Sequence, residues 1–269
     1  MKRKPKCAYC GKEGRSKEHI FPGWLLRKTP TYELKFNKTK GRVSPDENTV
    51  RDVCKPCNNG PLSQLDDYAR VLYETYWSKI VREEVEFEYD YIGLTRWLLK
   101  VSFNSARQQK SSAKSFEALI PYMLGEDLDP PGEVLFFLDV IRPFEGMWGG
   151  ENVVIEPRDH RCGKMFLKDI PSFKSVREGR FIAIDSFYFY IMFLDAPGDE
   201  AAYGKIAADI SPSCVRLTAA AQAVTIQPTR DYLEMKLPEV GMNLDAYLEG
   251  YHRFVVKDKA PKRSELRSK

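Results

Sequence analysis

"CAYCGKEGRSKEHIFPGWLL", residues 7–26, decides how the first quarter of the chain is read. Cys7 and Cys10 form a C-x-x-C knuckle, and a Glu18-His19 pair follows shortly after it. A second knuckle, Cys54-x-x-Cys57, comes after an interval of 43 residues. Two knuckles supply four thiolates, the number that closes one tetrahedral zinc site. Gly11 after the first knuckle and Asn58-Asn59-Gly60 after the second are turn formers, which lets the backbone fold back on a metal. Residues 1–60 are rich in Lys, Gly, Pro and Asn and hold few long apolar stretches, so a metal would supply stability that burial cannot.

The whole chain has 269 residues, 43% apolar and 12% aromatic, enough for a packed core in one large or two smaller domains. No apolar run is long enough to span a bilayer, and the basic start "MKRKPKCAYC" has no apolar segment of signal-peptide type behind it. The expectation is a cytoplasmic protein with no membrane partner, whose cysteines are not a disulfide framework. Cys162 and Cys214, outside the knuckles, read as buried free thiols. Charge is uneven: residues 1–60 hold 15 Lys and Arg against 6 Asp and Glu, while the remainder is mildly acidic and the net charge is +4. The last 13 residues are basic again, with 6 against 2, and read as a disordered tail over 257–269. A positive field confined to the cysteine-bearing segment points to a polyanionic partner, nucleic acid above all.

After Gly60 the texture changes. "PLSQLDDYARVLYETYWSKIVREE" carries apolar residues at helical period, with Pro61 suited to a first turn. "VEFEYDYIG" alternates like a strand, "LTRWLLKVSFNSARQQ" reads as a helix with Leu94, Trp97, Leu98 and Val101 inward, and "SFEALIPYMLG" as a short helix. Beyond "DPPGE" the reading turns to strands in "EVLFFLDVI", "ENVVIEP" and "RFIAIDSFYFYIMFLD". The last is one long bulged strand or a tight pair, and Phe187–Leu194, apolar on both faces, suits a central buried strand. "NLDAYLEGYHRFV" reads as a closing helix. The fold class is α+β, in three parts: a zinc-braced finger module over 1–80, a larger mixed α+β domain with a mainly antiparallel sheet over 81–256, and the tail.

A C-x-x-C, then "EHIFP", then "ENTVRDVCKPCNNG" resembles the HNH endonuclease family of the ββα-metal finger, in the branch braced by zinc on four cysteines. The resemblance covers roughly residues 5–75. In that family an Asp-His or Glu-His pair lies on the first strand before an Ile-x-Pro turn. An Asn precedes the second knuckle, and a His or Asn follows it directly. The resemblance thus implies His19 as the general base, Glu18 and Asn58 as ligands of a catalytic divalent cation (Mg²⁺ or Mn²⁺), and Asn48 as the group that holds the His19 ring. Cys7, Cys10, Cys54 and Cys57 would hold a structural zinc, and Arg15, Lys17, Arg27 and Lys55 would neutralise flanking phosphates of DNA. The chain departs from the commonest pattern in carrying Asn58 rather than His, and Glu18 rather than Asp; Asn59 is the alternative to Asn58.

In an extended strand adjacent side chains face opposite ways, so Glu18 and His19 serve one site only if the backbone bends. Residues 23–43, basic with Trp24, Tyr32 and Phe36 interleaved, read as an insertion that either contacts substrate or covers the finger. Residues 102–115, with Arg107, Lys110 and Lys114, read as a loop, solvated or facing nucleic acid. His160 and Cys162 lack further ligands nearby, and His252 reads as a packed or surface histidine. Three functions compete: a metal-dependent DNA endonuclease, a non-catalytic zinc-finger nucleic-acid-binding module, and an interaction protein with the finger as a remnant. The larger domain would serve target choice, homodimerisation or partner binding.

Overall fold

A computed structural model describes residues 5–28, 34–37, 42–45, 49–109, 113–158, 160–165, 167, 170–240 and 244–251. The N-terminal elements are β1 (Ser16–His19), α1 (Gly23–Leu26), β2 (Leu34–Asn37), β3 (Arg42–Pro45), β4 (Thr49–Val53), α2 (Lys55–Asn59) and α3 (Pro61–Leu72). β1 pairs antiparallel with β4, and β2 with β3. α3 buries Leu62, Leu65, Ala69 and Leu72, the helical period seen in the sequence, and Pro61 opens it where an N–H has no helical acceptor. It runs on into a π-turn over Tyr73–Trp77, whose Trp77 is fully buried.

Next come β5 (Val85–Glu88), α4 (Tyr91–Gln108), α5 (Ile120–Leu124), β6 (Val134–Arg142), β7 (Phe144–Trp148), β8 (Glu151–Ile155), β9 (His160–Lys164), β10 (Val176–Ile184) and β11 (Phe187–Leu194). The chain closes with α6 (Glu200–Ile210), β12 (Val215–Leu217), β13 (Ala223–Ile226), β14 (Arg230–Asp231), α7 (Tyr232–Val240) and α8 (Leu244–Tyr251). Asp90 caps α4, accepting from the Gly93 N–H at 2.8 Å. The main sheet has the order β12-β6-β11-β10-β9, antiparallel throughout, with β14 added parallel to β6. The fold is therefore α+β with mostly antiparallel pairing.

"RFIAIDSFYFYIMFLD" is the tight pair: β10 and β11 turn at Asp185–Ser186, with Asp185 at φ 50°. All eight residues of β11 are buried. Phe187, Phe189, Ile191 and Phe193 face α4, and Tyr188, Tyr190, Met192 and Leu194 face α6 and the helices after it. Residues 102–108 are a correction to the loop reading: they continue α4, and Ser102–Ala106 are buried. The apolar face of α4 sets them inward, because the helix lies between the sheet and the finger. One core runs without a break from Cys7, Tyr9 and Leu25 through α3 and α4 to the sheet. In the 23–43 segment, Leu25 is fully buried and Trp24 meets Tyr73 edge-on at 5.5 Å, so this part covers the finger's apolar side. Asn48, Tyr32, Lys110, His252 and the 257–269 tail lie outside the described residues. Among those described, no helix is long and apolar enough to cross a membrane.

Candidate functional site

The first knuckle turns at Gly11, which sits at φ 70° and donates its N–H to Cys7 O at 2.9 Å. Gly14 then passes so close to the second knuckle that a Cβ there would stand 2.2 Å from Cys54 Cβ. These turns bring the sulfurs of Cys7, Cys10, Cys54 and Cys57 within 4.8 Å of one another, with Cys10 Sγ and Cys54 Sγ at 3.5 Å. Zn–S bonds of about 2.3 Å imply S···S separations of about 3.8 Å in a tetrahedron, so the four thiols fit a metal ion such as zinc. Burial pushes the Cys7 thiol up, yet backbone N–H groups of Cys10, Cys54 and Tyr9 outweigh it and bring it down to about 7. Among the described residues this is the only group of three or more His, Cys, Asp or Glu side chains close enough to share an ion.

β1 and β4 run beside that cluster. The pairing sets Ser16 opposite Val53, then Glu18 opposite Val50 and His19 opposite Thr49, so a bulge precedes the Glu-His pair. Asn58, on α2, is tied to β1: its Nδ2 donates to Ser16 Oγ at 3.0 Å and to Lys17 O at 3.2 Å. Ser16 Oγ in turn donates to Val53 O at 2.8 Å. Both Asn58 bonds use the amide nitrogen, which directs no part of that link through the oxygen. Asn59 is exposed, beside the half-buried Asn58.

Glu18 and His19 part company as strand alternation requires. Glu18 is only 5% exposed and turns toward α4, where Lys100, fully buried, places its Nζ 2.8 Å from Glu18 Oε1. The same ammonium is 2.6 Å from Asp66 Oδ1, which also accepts from Trp97 Nε1 at 3.2 Å. Burial raises the Glu18 carboxyl above its ordinary value, although Lys100 opposes this. The Lys100 amine is itself held up, despite burial, by Asp66 and Glu18. By chemistry the carboxylate of Glu18 and the amide of Asn58 suit a hard divalent cation; by position, Glu18 is engaged by Lys100.

His19 is half-buried, its ring near Gly23 and Arg27: a Cβ on Gly23 would lie 3.9 Å from His19 Cε1 and 3.6 Å from an Arg27 guanidinium nitrogen. Burial first, then the charges of Lys17, Lys100 and Arg27, push its proton affinity down against Asp66, so the imidazole is neutral near pH 7. Arg15, Lys17, Arg27 and Lys55 are all exposed.

Sequence reasoning missed the contribution of α4. Asn104 donates through Nδ2 to His19 O at 3.4 Å and accepts from Tyr9 Oη at 2.8 Å. Arg107 donates to Asp52 Oδ1 on β4 at 2.8 Å and to Asn104 Oδ1 at 2.6 Å. Trp97, Lys100, Asn104 and Arg107 recur at helical spacing, so one stripe of α4 faces α3 and both strands of the finger. His160, half of the discounted pair, is buried with Nε2 3.4 Å from Asp185 Oδ1, in the core rather than at a metal cluster.

Comparison of the chain with protein-family models, with curated proteins and with solved structures returns no match.

Proposed function

We propose that the protein is a metal-dependent endonuclease of the HNH type, hydrolysing phosphodiester bonds in DNA, with a structural zinc on Cys7, Cys10, Cys54 and Cys57. One observation carries the reading: the β1–β4 pair and α2, drawn together at the cysteine cluster, hold His19 at the end of β1 and tie Asn58 to that same strand. His19 acts as the general base. Its lowered proton affinity keeps it neutral at pH 7, ready to take a proton from water as the water oxygen attacks phosphorus and the bond to the leaving 3′ oxygen breaks. A divalent cation, Mg²⁺ or Mn²⁺, would be held by Asn58 and by Glu18 once the Glu18 carboxylate turns away from Lys100 toward the His19 side of β1, and would supply charge stabilisation at the phosphate and the leaving oxygen. Asn48, outside the described residues, keeps the ring-holding role that the HNH resemblance implies, and the exposed Arg15, Lys17, Arg27 and Lys55 neutralise flanking phosphates. The larger domain carries the finger through α4 and would serve target choice, homodimerisation or partner binding; a monomer would nick one strand, whereas a dimer would cut both.

A second reading is favoured by the burial of Glu18 against Lys100: a zinc finger that binds nucleic acid and does not cleave it. Supercoiled plasmid separates the two. Incubation with Mg²⁺, with Mn²⁺ and with chelator, beside His19→Ala, is expected to give metal-dependent nicking or linearisation that the variant loses. Equal cleavage by the variant removes His19 as the base. Binding by both proteins with no cleavage by either leaves the second reading.

A further inference from the structure

Lys100 is a cation where the nuclease reading needs one. Its ammonium, with no exposed surface, stands between two carboxylates at 2.8 Å from Glu18 and 2.6 Å from Asp66. It projects from the middle of α4, an 18-residue helix packed on α3 below and the sheet above, so its position is fixed by the core and not by side-chain chance. A buried lysine is retained only with counter-charges, and a buried carboxylate only with a cation or donors. Each partner here answers the other's need. A divalent ion approaching Glu18 must therefore compete with a charge already dehydrated and tethered, while giving up its own water, which Mg²⁺ does reluctantly.

We propose that Lys100 is a tethered counter-cation that holds the Glu18 carboxylate against divalent metal, so that a metal ion gains this carboxylate only as the ammonium yields. The inference rests on the nuclease reading for the choice of cation alone, and it is read by metal binding rather than by cleavage.

The probe is Mn²⁺ itself, titrated into the zinc-loaded full chain, with free Mn²⁺ followed by its paramagnetic resonance signal. Lys100→Met, close in length and uncharged, is expected to bind Mn²⁺ about tenfold more tightly than the wild type, or better. The gain is absent in Lys100→Met/Glu18→Gln, and Lys100→Arg, which keeps the charge, behaves as the wild type. Lys100→Met binding no more tightly than the wild type overturns the proposal, as does a gain that survives Glu18→Gln. Since Lys100→Met leaves the buried Glu18 carboxylate and the partly exposed Asp66 carboxylate without their shared cation, its melting temperature is also measured with and without Mn²⁺. A rise larger than that of the wild type, including folding only with Mn²⁺, supports the proposal; a variant still unfolded at millimolar Mn²⁺ counts against it. Absence of plasmid cleavage in every variant, with the Mn²⁺ gain intact, refutes the nuclease reading and leaves this one standing.

Discussion

The finger and the main sheet are held by different means. The sheet is held by area: β11 buries every residue it has, four apolar or aromatic side chains to one face and four to the other. The finger is also held by points: four clustered sulfurs, two glycine turns, a serine linking strand to strand, an asparagine linking helix to strand, and a polar stripe on α4. Loss of one contact in the sheet leaves many others to share the load. In the finger these points add to a smaller apolar core of Tyr9, Ile20, Phe21, Leu25, Val50 and Val53, and the two together hold His19 in place.

The largest test of the contrast is removal of a sulfur. Structural zinc contributes about 10–16 kcal/mol of apparent binding free energy in small zinc modules. Cys54→Ser is expected to abolish stoichiometric zinc and to strip amide-exchange protection from β1, β4 and α2, while β10 and β11 remain protected. Protection lost equally in the sheet would show that the shared core, not the metal, governs both regions. Phe189→Ala is the converse experiment. Phe189 is fully buried against Trp77 and Phe87, and its truncation should cost about 3–5 kcal/mol in urea unfolding, felt by the whole chain.

Arg107→Met removes the guanidinium that joins Asp52 and Asn104 but keeps apolar contact with Phe103. The expected loss is about 1–3 kcal/mol, with faster amide exchange confined to β4 and the first knuckle. The smallest effect concerns His19. Its folded-state proton affinity is lowered, so its contribution to stability is complete above the unfolded value near 6.5 and is lost as pH falls through the folded value. A melting-temperature profile from pH 8 to 5 should fall slightly more for the wild type than for His19→Gln. Parallel profiles would mean that the imidazole is no more buried folded than unfolded.

The same contrast explains what the sequence made legible. The knuckles are visible because four thiols that share one metal ion recur at C-x-x-C spacing, whereas the Glu-His pair and Asn58 stand out only through the family resemblance on which the proposed function rests. The central strand is visible because "FYFYIMFL" is apolar at every position, and a strand buried on both faces has no other signature. Lys100 escaped notice because a lysine in a helix reads as solvated, although it lies three residues after Trp97 and four before Asn104, on the face that points inward. That signal was present in the period and was masked by the charge. Glu18 illustrates the limit from the other side: its residue type says metal ligand, while its surroundings give it an ammonium. β9 was missed because "HRCGK" has neither alternation nor bulk; it becomes a strand by pairing with β10 at the sheet's edge.

The bond between Tyr9 and Asn104 spans 95 residues of chain. At translation rates of about 5–20 residues per second, the first knuckle is synthesised about 5–20 s before Asn104. During that interval Cys7 and Cys10 wait for the second pair and all four wait for α4. The thiols that the finished protein encloses are not yet enclosed during that interval, so the speed of synthesis sets how long they wait.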